Sequence, residues 1–269
     1  MTRPPTQAKG AVPALCLSGV VQSYALPRRR LYGPAPRLTA LSGVDVTLAV
    51  GETLGVVGES GSGKSTVARI AMALERPDSG KVEIAGQDPW ALSPTERRHA
   101  RARFQMVFQD PMGSLNPRRP AGWSVAEPLL AMGVARQARA QRAQAALASV
   151  GLPDAAPRFP HEFSGGQRQR IAIARAIVSA PALIVADEPV SALDVSVQAQ
   201  ILNLLMEVQA QTGAALLLIS HDLDVVGAIC DRVLVLHQGR AMAQGPVDEI
   251  LRDPPAPYQN WARAFQSPA

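Results

Sequence analysis

The run Gly58-Glu59-Ser60-Gly61-Ser62-Gly63-Lys64-Ser65-Thr66 constrains this chain more than any other segment. Gly58, Gly63, Lys64 and Ser65 stand at the spacing of a phosphate-binding loop. Glycines let the backbone curl until several N–H groups face one anion. An apolar strand predicted at 53–57 enters the loop, and a helix predicted over 64–74 leaves it. That helix turns the positive end of its dipole toward the same anion. Lys64 supplies a point charge for β- and γ-phosphates, and the Ser65 hydroxyl can coordinate Mg²⁺. With 21 glycines among 269 residues, chance would give such a match about twice in a thousand chains of this composition.

An apolar run over 182–186 ends in Asp187-Glu188. The tip of such a strand lies at the carboxyl edge of an open α/β sheet, where ligands bind. Asp187 can hold Mg²⁺, directly or through water, and Glu188 can act as general base on an attacking water. A third segment, Ser164-Gly165-Gly166-Gln167, opens a predicted helix and forms a second anion site. Two phosphate loops about a hundred residues apart favour head-to-tail pairing of two chains, each nucleotide lying between loop one of one and loop two of the other.

Composition agrees with a globular, core-forming chain: 47% hydrophobic, 18% charged and only 4% aromatic, so aliphatic side chains build the core. Two cysteines, Cys16 and Cys230, exclude a disulfide scaffold or a four-cysteine metal site within the chain and point to a reducing compartment. No apolar run approaches the ~20 residues of a membrane helix. The net charge of +5 is spread over scattered arginines, with short clusters at 28–30 and 97–98. This reads as a solvated surface and not as a nucleic-acid groove.

Along the chain, 1–13 reads as a tail, 14–22 as a strand, 27–37 as a loop and 44–50 as a half-buried strand. Strands follow at 81–85 and 104–108. Residues 113–160 lose strand character and read as a helical insertion, with helices near 123–132 and 136–150. From 167 onward helices (167–179, 196–211, 222–229) alternate with strands (182–187, 215–219, 232–236). Such alternation implies a parallel sheet with right-handed crossovers.

These segments together resemble the nucleotide-binding domain of ATP-binding cassette (ABC) transporters over 14 to about 245. Ser164-Gly165-Gly166-Gln167 looks like the family signature, with Phe163 where the family usually has Leu. Gln109 resembles the Q-loop glutamine that senses Mg²⁺ and the γ-phosphate. Ser191-Ala192-Leu193-Asp194 is similar to the D-loop that crosses to a partner, and His221 to the switch histidine at the γ-phosphate. Tyr24 stands where the family stacks an aromatic on adenine, with Tyr32 a rival. The resemblance implies an α/β fold: a P-loop NTPase (RecA-like) core with an antiparallel β subdomain and a helical subdomain at about 113–175. Residues 246–269 would be a short C-terminal extension.

The stretch from Gln109 to Arg118 and that from Pro189 to Gln198 resemble the oligopeptide and dipeptide importer branch, to which nickel importer ATPases are close. Asp253-Pro254 and Pro257-Tyr258 resemble its C-terminal extension, though without the cysteines that hold an iron–sulfur cluster in some members. The implied function is ATP hydrolysis that energises a peptide importer at the cytoplasmic face of the inner membrane. The implied cofactors are ATP and Mg²⁺. The implied partners are a second ATPase subunit, copy or paralogue, transmembrane permease subunits and, indirectly, a solute-binding protein. A nickel or metal-chelate importer is the alternative. A soluble ABC ATPase would need long coiled-coil insertions or a second cassette. A non-enzymatic, nucleotide-gated regulator is disfavoured by Lys64, Asp187, Glu188 and His221.

Overall fold

The computed structural model describes residues 12–27, 35–256 and 258–259. Most of the tail 1–13, and Tyr32 with most of the loop 27–37, lie outside the described residues. The elements begin with β1 (Leu15–Ala25), β2 (Arg37–Leu48), β3 (Thr53–Val57), α1 (Lys64–Ala71) and β4 (Ser79–Ile84). There follow α2 (Pro94–Ala100), β5 (Phe104–Val107), α3 (Pro111–Ser114), α4 (Ala121–Ala131), α5 (Arg136–Ser149), α6 (Gly165–Ile177), β6 (Leu183–Asp187) and α7 (Val195–Thr212). The chain continues through β7 (Ala215–Ile219), α8 (Leu223–Ile229), β8 (Arg232–His237), β9 (Arg240–Pro246) and α9 (Val247–Arg252). These elements divide into two units, 1–90 with 218–269, and 91–217.

In the first unit β1 is the centre of an antiparallel sheet ordered β2-β1-β4. Strand β2 starts seven residues before the predicted 44–50. Its first residues, Arg37, Leu38 and Thr39, are all exposed, so no alternation of burial marks them; pairing with β1, as in Tyr24 opposite Leu38, makes them a strand. Strand β3 is buried at every position and pairs in parallel with β8, Val57 beside Val235. A strand covered on both faces reads as a continuous apolar run, as 54–57 does. Antiparallel β9 follows β8; its largely exposed Arg240–Pro246 carries no pattern that sequence reading could find.

The turn between β2 and β3 is held by a partly buried ion pair, Arg232 Nη1 to Glu52 Oε1 at 2.8 Å. The second carboxylate oxygen of Glu52 accepts the Ala49 N–H at 2.7 Å. Glu52→Ala would leave both donors without that acceptor. It is expected to lower stability by about 1.5–3 kcal/mol, read as a fall in denaturation midpoint at constant m-value.

The second unit carries strands in the order β5-β6-β7, β5 and β6 being parallel. Three helices pack together beside them, α4, α5 and α6. Alanine allows the close approach: α5 buries Ala143 and Ala146 with Leu147, and a Cβ on Gly122 of α4 would lie 3.0 Å from Ala156. Arg175 of α6 ties this packing to the segment after β5, donating to Ser114 O at 2.8 Å and to Glu127 Oε2 at 2.7 Å. Helix α2 shows no apolar periodicity, although its start is written in the chain: Ser93 and Glu96 form a capping box around Pro94.

Candidate nucleotide-binding site

The first unit holds the phosphate loop. Gly58, Gly61 and Gly63 all have positive φ, at 154°, 80° and 110°. Two of them also sit where no side chain fits. A Cβ on Gly58 would lie 2.2 Å from Leu236 O, and one on Gly63 would lie 2.6 Å from Ala40 O. The loop closes on itself, Ser62 N–H donating to Glu59 O at 3.1 Å. Lys64 is buried, and its ammonium donates to Gly58 O at 2.7 Å and Glu59 O at 2.9 Å. The loop is thus wrapped around its own cation. Helix α1 starts at Lys64, so the N–H groups of its first turn have no acceptor inside the helix. The buried Ser62 hydroxyl has no hydrogen-bond partner among the described residues. Curled backbone, an included cation and spare N–H and O–H donors suit a polyphosphate.

Tyr24 on β1 is half-buried. Its hydroxyl donates to Glu75 Oε2 at 2.7 Å and lies 3.4 Å from Thr66 Oγ1 at the end of the loop motif. Burial pushes that hydroxyl above its usual pKa, with Glu75 adding to the rise. His221 follows β7 in a capped turn: Ser220 N–H reaches Val56 O of β3 at 3.3 Å, and Asp222 Oδ1 accepts Asp224 N–H at 2.9 Å at the start of α8. His221 is exposed and stands two residues beyond the end of β7, next to Ser220, which bonds the strand that feeds the loop.

Apart from Gln109, the second unit gathers the remaining candidates in two places. Asp187 closes β6 and is half-buried. Glu188 follows with φ +46°, a left-handed conformation uncommon outside glycine. The Ser191 hydroxyl donates to Glu188 O at 3.2 Å and holds that turn.

At the other place Ser164 caps α6 in a reciprocal box, accepting Gln167 N–H at 3.3 Å and donating its own N–H to Gln167 Oε1 at 3.0 Å. The Ser164 hydroxyl keeps its proton for another acceptor. Both glycines of the motif lie against the 191–197 segment. A Cβ on Gly166 would come within 2.6 Å of Val197 Cγ1, and one on Gly165 within 3.4 Å of Leu193. Asp194 occupies the N-cap position of α7, exposed and with no side-chain bond to the helix N–H groups, beside Val195 at 81% exposure. Phe163 is buried under the Arg158 guanidinium, 4.3 Å from its ring.

Gln109 is exposed in the turn after β5. Sequence reading missed its connection: buried Gln169 of α6 donates to Phe108 O at 3.3 Å. The glutamine turn and the Ser164 helix are therefore joined by a hydrogen bond. Nothing local signals a role for Gln169, since its partner lies 61 residues away.

The chain matches the family model described as ABC transporter over residues 41–191. This protein belongs to the ABC transporter family.

The cassette is 49% identical to the di/tripeptide transport ATP-binding protein DppF of Pseudomonas aeruginosa, over 89% of this chain and 74% of that protein. It is 50% identical to the oligopeptide transport ATP-binding protein OppF of Salmonella typhimurium, over 84% of this chain and 68% of that one. Among solved structures, a dimeric ATP-binding cassette in a post-hydrolysis state with ADP and Pi is 29% identical. It covers 87% of this chain and 98% of its own, with a TM-score of 0.75. A cassette of Clostridium perfringens, part of the ABC transporter complex cbiONQ, gives 0.76 at 27% identity, over 88% of this chain and 90% of that one. These likenesses bear out the expected P-loop NTPase fold and ATP hydrolysis as the activity of this cassette. Among the described residues no helix is long and apolar enough to cross a membrane.

Proposed function

We propose that this ABC cassette is the subunit whose ATP hydrolysis drives uptake of di- and oligopeptides through membrane-embedded permease subunits. The observation that carries the reading is its 49–50% identity to di/tripeptide and oligopeptide transport ATP-binding proteins over more than four-fifths of its length. It would sit peripherally on the cytoplasmic face of the inner membrane, paired with a second ATPase subunit and served by a solute-binding protein. The nucleotide-binding domain would span 14–245, with its helical part at about 113–175 and a C-terminal extension at 246–269.

The residues then take these roles. The Gly58–Thr66 backbone (Gly58, Glu59, Ser60, Gly61, Ser62, Gly63, Lys64, Ser65, Thr66) and the Lys64 ammonium hold the β- and γ-phosphates. The Tyr24 ring, fixed through its hydroxyl, faces the adenine. The Ser65 hydroxyl, the Asp187 carboxylate and the Gln109 amide are hard oxygen donors that suit Mg²⁺. When bound, that ion neutralises charge on the phosphate oxygens. Glu188 takes the proton of the attacking water, and His221 and Gln109 orient the γ-phosphate. Ser164, Gly165, Gly166 and Gln167 of one cassette face the nucleotide of its partner, with Asp194 at the crossing. Phosphoryl transfer of this kind is mainly positioning and charge stabilisation.

The test is uptake of labelled di- and oligopeptides by a host lacking other peptide uptake systems and carrying Glu188→Gln in this chain. Uptake is expected to fall to background. Uptake equal to wild type would overturn the peptide reading and bring nickel or another small chelate forward as the solute.

A further inference from the structure

Tyr258 lies beyond α9, in the segment to which the mechanism assigns no role, and it is only 3% exposed. Its hydroxyl donates to Leu236 O at 3.0 Å, accepts the Glu59 N–H at 3.3 Å and lies 3.2 Å from His237 Nδ1. A phenol has one proton and two lone pairs. With the phenol proton donated to Leu236 O, the third contact needs an N–H at His237 Nδ1. The two rings meet edge to face, centroids 5.6 Å apart. Burial raises the Tyr258 pKa, so the hydroxyl keeps its proton at neutral pH.

The Glu59 N–H and the Gly58 C=O belong to one peptide unit. That carbonyl accepts from Lys64 Nζ at 2.7 Å. A single peptide plane is therefore gripped from one side by Lys64 and from the other by Tyr258. Gly58, at φ +154°, offers no side-chain resistance to rotation of that plane. Leu236 O ties both together, being the acceptor of Tyr258 and the atom nearest the missing Cβ of Gly58.

We propose that Tyr258 is a positioning residue for nucleotide binding: its hydroxyl holds the Gly58–Glu59 peptide in the orientation that keeps Lys64 seated in the phosphate loop. This rests on the nucleotide-binding reading of the loop given above. Tyr258→Phe keeps the ring and its packing and removes only the hydroxyl. Leu251→Ala is the comparison, since Leu251 is a buried apolar residue of α9, seven positions before Tyr258, and carries no hydrogen-bonding side chain. Each variant of the full chain is titrated with a fluorescent ATP analogue and Mg²⁺ and melted without nucleotide.

Tyr258→Phe is expected to raise the dissociation constant about 5- to 20-fold, the effect of leaving a part-buried loop N–H without its acceptor. Leu251→Ala is expected to lower the melting temperature and leave that constant within about twofold of wild type. Wild-type affinity in Tyr258→Phe overturns the proposal, and so does affinity that merely follows melting temperature across both variants. Lys64→Ala separates the two levels: if it binds the analogue as wild type does, the loop reading itself fails.

Discussion

Replacing Glu188 with glutamine is expected to lower ATP turnover by about 10²–10⁴-fold, the usual contribution of a general base, while nucleotide binding survives. The carboxylate follows Asp187 at the end of β6, half-buried, on a residue at φ +46°. Strain of that kind costs of order 1–3 kcal/mol and persists where surroundings over-determine it. Here the Ser191 hydroxyl on Glu188 O does so. Glutamine keeps the size and the backbone of the side chain and loses only its capacity to take a proton. The variant should therefore accumulate in a nucleotide-loaded, paired state. Steady-state phosphate release, with the amount of retained ATP per chain, checks this; near-normal release would remove Glu188 from the role of base.

The second large effect is expected from Gly58→Ala. The added methyl would lie 2.2 Å from Leu236 O and 2.6 Å from Ser62 Oγ. The first of these is backbone of β8, which pairs with β3 on one side and β9 on the other and has nowhere to retreat. Overpacking costs about 1–3 kcal/mol, and the left-handed backbone adds about as much again. The chain should lose about 3 kcal/mol or more of stability, and with it the thermal shift on adding ATP. Gly61→Ala is the control, because nothing lies within 4 Å of its Cβ position. It should cost only the left-handed penalty, about 1–2 kcal/mol. A Gly58→Ala chain that melts like wild type and still shifts with ATP would show that Leu236 can give way.

Several features of this cassette are local in origin and so were open to sequence reading. Strand β3, the loop at 58–66 and the start of α1 are neighbours in the chain. A buried apolar run, glycines at fixed spacing and a helix start are each specified within a few residues. Strands β6 and β7, buried on both faces, announced themselves as unbroken apolar stretches for the same reason. Helix α1 stops at Ala71, short of the predicted 74, because Ala73 takes φ +48° and turns the chain.

Other features depend on partners far away in sequence. The extra length of β1 and β2 comes from their pairing with each other, since their exposed ends carry no alternation. Strand β9 exists because β8 supplies its hydrogen bonds. The hold of Gln169 on Phe108, across 61 residues, and of Tyr258 on Glu59, across 199, arises only when folding brings those groups within hydrogen-bond reach. By itself the sequence determined the chemistry this cassette carries: which loop takes phosphate, which residues can take a proton, and which family they mark. The tertiary structure alone decided how those groups are held, because a hydrogen bond acts over about 3 Å and the order of residues along a chain does not say which of them will come that close.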